Sequence, residues 1–249
     1  MSTLLAPTNQ AFDSATFENF LSTRHEPGWV TELRRTAFEA YRESLVTELD
    51  PEEWKRVDIR AFRAEKFSIK SDVQSTSALE TLLSDRAEFA GAVSHLDGVC
   101  TRATLSEKWA QKGVLLGNLS DLIQTHGDLL RPHLMTRAVT PATDRFSAWH
   151  GAFWTGGTVL FVPRNVEVTE PLYSLIGLGA DGAADFSHTL IILEEGASAT
   201  LLEETTSASA SATGLHVGAV ELLLAPRSNL RYVQLQNWND KVWHFAHQV

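Results

Sequence analysis

Three histidines raise the first chemical question. His188, His216 and His244 recur at equal intervals, with His150 and His247 nearby. Imidazole is a common ligand for zinc and iron, so rings stacked on successive turns of a repeating fold could hold a metal. The simpler reading is that each ring caps a strand end or packs against Trp149 or Trp243, because no carboxylate or thiolate joins them at a ligand-like spacing. His244 and His247 would also face opposite sides of a strand. The role of the His188/His216/His244 series stays open at this point.

The other candidates are weaker. Cys100 is the single cysteine. Iron–sulfur clusters are held mainly by several thiolates, so Cys100 reads as a small buried hydrophobe. Glu194-Glu195 and Glu203-Glu204 are paired carboxylates of the kind used in sugar hydrolysis. Adjacent strand residues point to opposite faces, so both pairs read instead as solvated strand-to-turn junctions. Gly156-Gly157 precedes a strand rather than a helix and cannot form a nucleotide-type phosphate loop. No residue is assigned a catalytic, cofactor-binding or metal-ligating role.

Composition narrows the classes. The 249 residues suffice for one large domain or two small ones, and a hydrophobic content of 43% is ordinary for a globular core. A net charge of -10 disfavours non-specific contact with nucleic acid or an anionic membrane. There is no apolar run long enough to span a bilayer and no secretory signal at the start, and one cysteine suits a reducing cytoplasm. The expected location is therefore cytoplasmic.

The elements that would position these residues fall into two parts, 1–145 and 146–249. In the first, a short helix is expected over 9–22 and a longer one over 27–49, where Val30, Leu33, Ala37, Tyr41, Leu45 and Leu49 share a face. A further short helix is expected over 52–58. Leu79, Leu82, Leu83 and Phe89 suggest another, followed by short strands at Val93–Leu96 and Val114–Gly117. A helix capped by Asn118 or Ser120 then runs to Pro132. In the second part, Thr158–Val162, Leu190–Leu193 and Glu221–Leu224 are buried strands, each followed by a turn and a second strand: Val166–Val168, Ala197–Leu202 and Leu230–Leu235. Val162, Leu193 and Leu224 hold the same place in each unit and sit at equal intervals. A fixed period of strand, turn and strand predicts stacked coils, most simply a parallel β-helix, with side loops such as Glu204–Gly214.

The same stretch resembles the SufB/SufD family of the SUF iron–sulfur cluster assembly system. Trp154-Thr155-Gly156-Gly157-Thr158-Val159-Leu160-Phe161-Val162-Pro163 is similar to the family's entry into its core. Leu190–Ala197 resembles its L-I-x-x-E-E-G-A segment, and Leu235-Gln236-Asn237-Trp238 with Val242-Trp243-His244-Phe245 its L-Q-N-W … W-H-F segment. Upstream, Glu53–Ile59 resembles the E-x-W-R-x-T-D segment of SufD-type subunits, with Val57 where Thr is usual. The resemblance implies a right-handed parallel β-helix behind an N-terminal mainly helical domain. It implies a SufD-like scaffold subunit that is not itself an enzyme and that pairs with a SufB-type subunit and a SufC-type ATPase. It also implies that any iron–sulfur cluster belongs to the assembled complex, with no cofactor in this chain. Read this way, the chain looks like the first half of such a subunit, cut at Val249, with self-association expected through its C-terminal β edge. Two alternatives remain: a β-helix carbohydrate-active enzyme, and a small cupin-type protein with a His-bound metal.

Overall fold

The computed structural model describes residues 10–55, 59–71, 79, 81–83 and 88–249. Helices come first. Asp13 caps α1 (Ser14–Ser22) by accepting the Thr16 N–H at 2.8 Å. The apolar face read from sequence becomes α2 (Gly28–Leu45), which buries Val30, Ala37, Phe38 and Tyr41. It stops before Leu49, and α3 (Pro51–Trp54) follows with Asp50 as its cap. The rest of the helix expected over 52–58 lies at residues 56–58, outside the described residues. The helix suggested by Leu79, Leu82, Leu83 and Phe89 is not observed among the described residues there: Leu82 and Leu83 lie in a bend. Their backbone N–H groups instead bond a carboxylate of a distant strand, at 2.6 and 3.1 Å.

The remaining elements, in order, are β1 (Ser68–Ile69), β2 (Gly91–Leu96), β3 (Val99–Leu105), α4 (Glu107–Ala110), β4 (Leu115–Asn118), α5 (Leu119–Leu130) and α6 (Arg145–Phe153). Then come β5 (Thr158–Val162), β6 (Leu172–Leu178), β7 (Ala183–Asp185), β8 (His188–Leu193) and β9 (Ser198–Ser207). The last three are β10 (Gly214–Leu224), β11 (Asn229–Asn237) and β12 (Val242–Gln248). They form two sheets. One has the order β1-β7-β10-β8-β5-β4, with β12 paired to β10; the other runs β11-β9-β6-β2-β3. The pairs are parallel except β2–β3 and β4–β5, which are antiparallel. The fold is thus mostly β, with mixed sheets and helices.

The repeat read from sequence is a strand register. Val162 pairs with Leu193, and Leu193 with Leu224. In the other sheet Ser198 pairs with Asn229, at the same offset along the chain. Other details differ from expectation. The strand expected at Val166–Val168 is reduced to one bridge, Glu167 to Ser198, and the long partner strand is β6, a fully buried run. The side loop expected over Glu204–Gly214 shrinks to residues 208–213, because β9 continues to Ser207; the period is long because the strands are long.

Residues 145–153 are helical rather than the start of the strand repeat. A capping box starts α6: Asp144 accepts the Phe146 and Ser147 N–H groups at 2.8 Å, and Ser147 Oγ accepts the Asp144 N–H at 2.9 Å. The boundary placed near 145 falls at this cap. Strands from both sides of it share each sheet: β1 pairs with β7, β2 with β6, and β4 with β5.

Two large apolar layers result, with a small third cluster of Ala92, Tyr173 and Leu175 on the outer face of the second sheet. Between the sheets lie Val93, Leu160, Val162, Leu172, Ile191, Leu193 and Leu201. Outside the first sheet, α6 is sandwiched between α2 and the strands, and Phe12, Phe17, Tyr41, Trp149, Phe153 and Phe186 pack there edge to face or stacked. Arg34 is fully buried in this layer. Its guanidinium lies 3.7 Å from the Trp154 ring centroid and donates to Glu26 at 2.7 and 2.8 Å and to the Ala152 carbonyl at 3.2 Å. Glu26→Ala would strand that cation without its partner. We expect a loss of about 3 kcal/mol in denaturant unfolding, against a negligible effect for Glu18→Ala at the exposed Arg35 pair.

Candidate functional site

Buried polar side chains are gathered in rows across the strands. In a parallel sheet, paired residues project to the same side, so the register decides which polar groups meet. Ser174, Glu203 and Gln234 are paired across β6, β9 and β11. The Glu203 carboxylate is buried and accepts four bonds: Ser174 Oγ at 3.2 Å, Thr189 Oγ1 at 2.5 Å, Tyr232 OH at 2.8 Å and Gln234 Nε2 at 3.2 Å. Thr189 comes from the opposite sheet, so this carboxylate ties the sheets together through their shared interior. Burial and the adjacent Glu203 charge push the Tyr232 hydroxyl well above its ordinary pKa, keeping it a donor.

The second row is Asp185, His216 and His244, paired across β7, β10 and β12. Asp185 accepts His216 Nδ1–H at 2.7 Å, Ser187 Oγ–H at 2.7 Å and Ser187 N–H at 3.1 Å. Burial works to raise the Asp185 carboxyl, but the bonds from His216 and Ser187 outweigh it and hold it below its ordinary value. The His216 and His244 rings stack at 4.9 Å, 5° from parallel. A Cβ on Gly218 would collide with His216 Nε2, so the glycine leaves room for the ring. Trp238 Nε1–H donates to His244 Nδ1 at 3.2 Å; burial, then the nearby His216, lowers His244 to about 4, so this ring is neutral at ordinary pH.

His188 does not belong to that row. It pairs with Ala219 across β8 and β10, not with His216, because the offset between those strands is longer than the interval between the histidines. β10 and β12 run at the shorter offset that matches the histidine interval, which sets His216 opposite His244. The equal spacing of His188, His216 and His244 therefore does not make a three-ring ladder. His188 lies on the outer face of its sheet, against His150 of α6 at 3.0 Å and Glu221 at 3.1 Å. His247 bonds Asp144 at 3.0 Å, away from His244. Among the described residues, no group of three or more His, Cys, Asp or Glu side chains is placed to hold a metal ion.

Glu203 and Glu204 are not the solvated junction residues expected from sequence. Both are buried in the body of β9, on opposite faces. Glu204 accepts the Leu82 and Leu83 N–H groups and the Tyr173 hydroxyl at 2.8 Å, fixing a loop over the outer face of the second sheet. Carboxylates on opposite faces of one strand cannot flank a single bond. Glu194 and Glu195 do lie at a turn. Glu195 meets Arg164 at 2.6 Å and also Arg227, linking three successive turns. Gly157 has φ +137°, and a side chain there would strike the His188 backbone, which explains the Gly156-Gly157 pair. Cys100 is half-buried on β3 beside a cavity of about 920 Å³ that also exposes Arg24, Lys70, Asn118 and Asp121. Burial pushes its thiol above the ordinary value, which makes it a poor nucleophile. Behind Asn118, His95 is buried with its Nε2 3.3 Å from the Asn118 amide oxygen; burial lowers its pKa.

Comparison with known proteins identifies the family. Residues 15–173 match the family model for the SufBD protein N-terminal region, and residues 176–249 match that of the SufBD core domain of SUF-system FeS cluster assembly. The chain belongs to the SufBD family. It is 28% identical over 158 residues to an iron–sulfur cluster assembly SufBD family protein of Staphylococcus saprophyticus, covering 63% of this chain and 34% of that protein. A Staphylococcus epidermidis relative shows the same identity and coverage, and one from Staphylococcus aureus is 27% identical with the same coverage. The match thus spans about a third of the length of these curated relatives. No helix among the described residues is long and apolar enough to cross a membrane.

Glu203→Ala would leave four donors unpaired in a closed interior. We expect a loss of about 3 kcal/mol in chemical denaturation and a smaller one for Glu203→Gln, which keeps one acceptor.

Proposed function

We propose that this chain serves as a SufD-like scaffold in iron–sulfur cluster assembly, working beside a SufB-type subunit and a SufC-type ATPase in the cytoplasm. The observation that carries the reading is the pair of family matches, which together account for nearly all of residues 15–249. The segment around Trp54, which resembles SufD-type subunits, favours that subtype. We further propose that the stacked strands form a right-handed parallel β-helix; the parallel offset shared by β5–β8 and β8–β10 in one sheet and by β9–β11 in the other supports this.

The proposed role is binding rather than catalysis. Its support is that the buried carboxylates are engaged by neighbours: Glu203 by four side chains, Glu204 by two backbone N–H groups and a tyrosine, and Asp185 by Ser187 and His216. A cluster in transit would be cargo of the whole assembly. Co-expression with the SufB-type and SufC-type subunits of the same source should yield one co-purifying complex. Purification with neither subunit would overturn the scaffold assignment.

A further inference from the structure

His150 of α6, His188 of β8 and Glu221 of β10 are all buried, and their hydrogen bonds run in a single line. His150 Nδ1 lies 2.7 Å from the Val217 carbonyl, which can only accept, so this nitrogen carries a proton. His150 Nε2 and His188 Nδ1 are 3.0 Å apart and share a second proton. His188 Nε2 lies 3.1 Å from Glu221 Oε2. The Glu221 carboxylate also accepts the Met135 N–H at 2.8 Å and the Val139 N–H at 3.1 Å. Three hydrogen bonds between acceptors at both ends need three protons, and two neutral imidazoles supply two.

We propose that His150, His188 and Glu221 store one additional proton, carried by His188 and neutralised by Glu221, and that this proton latches α6 and the 131–139 segment to the strands. Removing it would set a nitrogen lone pair against a carboxylate in a closed space. Adding a second would charge His150 or discharge Glu221 and break the line.

The surrounding groups fit this assignment. Burial first, then the charge of His188, drives His150 well below its ordinary value, so His150 stays neutral. Burial works to raise Glu221, but the bond and charge from His188 and the two backbone donors hold it below its ordinary value, so it is ionised. The other titratable or charged groups facing the cluster are His216 on β10, His247 on β12, and His133 and Arg137 on the connecting segment. Of these, His216 is engaged by Asp185 and His247 by Asp144. On α2, Arg34 is neutralised by Glu26 and reaches the Ala152 carbonyl rather than the cluster.

The pH dependence follows from these directions. A histidine depressed in the folded state leaves the unfolded chain binding more protons below its ordinary value of 6.5. The His150 contribution is thus complete above that value and declines as pH falls, whereas the additional stored proton is one the unfolded chain does not hold at high pH, so the latch also weakens as pH rises far enough to remove it. The Glu221 contribution is lost further down, below its ordinary 4.5.

The test is nitrogen NMR of the full chain carrying ¹⁵N-imidazole histidine, with rings assigned from single His→Gln variants. Near neutral pH, His150 and His188 together should show three protonated nitrogens and one lone-pair nitrogen. Two of each in the wild type, or a protonated Glu221 carboxyl by ¹³C shift, would overturn the proposal. Glu221→Gln should convert the count to two and two, because its amide can donate to His188 Nε2; an unchanged count would equally overturn it. If that variant does not fold, the wild-type count decides. Amide protection factors, corrected for the slower intrinsic exchange in acid, should also fall more in residues 145–153 than in β8 between neutral pH and about pH 5; an equal change in protection would contradict the latch.

Discussion

The register between parallel strands is the constraint on which the rest of the structure depends. The offset shared by β5, β8 and β10 places Val162, Leu193 and Leu224 in one apolar row, and the facing registers of the two sheets bring Thr189 within reach of Glu203. It sets Asp185 opposite His216 and brings Glu221 two residues beyond the partner of His188. Because side chains alternate with a period of two, a slip of one residue would turn each of these rows to the wrong face. The buried polar groups thus have a structural consequence besides any role in assembly: they penalise every register but one.

That penalty is large because the carboxylates are fully committed. Glu203 collects donors from both sheets, Asp185 holds a serine and a histidine, and Glu221 holds a histidine and two backbone amides. A carboxylate in such a place is costly without its donors and stable with them. The contacts also join elements far apart in sequence. Glu204 fixes the loop at Leu82, and Glu221 fixes the segment at Met135, so the helical and stranded parts of the chain are tied by hydrogen bonds as well as by packing. The SufBD family match runs from residue 15 to 249 with only a short interruption, in keeping with that interdependence.

The sequence was legible where polar and apolar residues alternate with a clear period. The amphipathic face of α2 and the row Val162, Leu193, Leu224 are both observed. It was opaque where burial is complete. Helix α6 is apolar or small on nearly every side because it is enclosed by α2 and the strands, so it shows no amphipathic stripe; the signal was Asp144 with Ser147 further on in the first turn, a capping box. The histidine spacing misled for a different reason. Equal intervals align residues only if every coil has that length, and the coil joining β8 to β10 is longer than the one joining β10 to β12. Glu203 and Glu204 looked solvated because sequence alone cannot reveal donors supplied by Tyr232, Thr189 and the Leu82 backbone.

The register itself can be measured by trapping it. In a Cys100→Ser background, Thr200 and Arg231 are partners across β9 and β11, and both are accessible enough to oxidise. Neighbouring strands bring paired Cα atoms within disulfide range. Thr200→Cys with Arg231→Cys should close a disulfide under mild oxidation. Thr200→Cys with Ser228→Cys, set for the shorter offset seen between β10 and β12, should not. Efficient closure of the second pair and none of the first would contradict the observed register and the polar rows that depend on it.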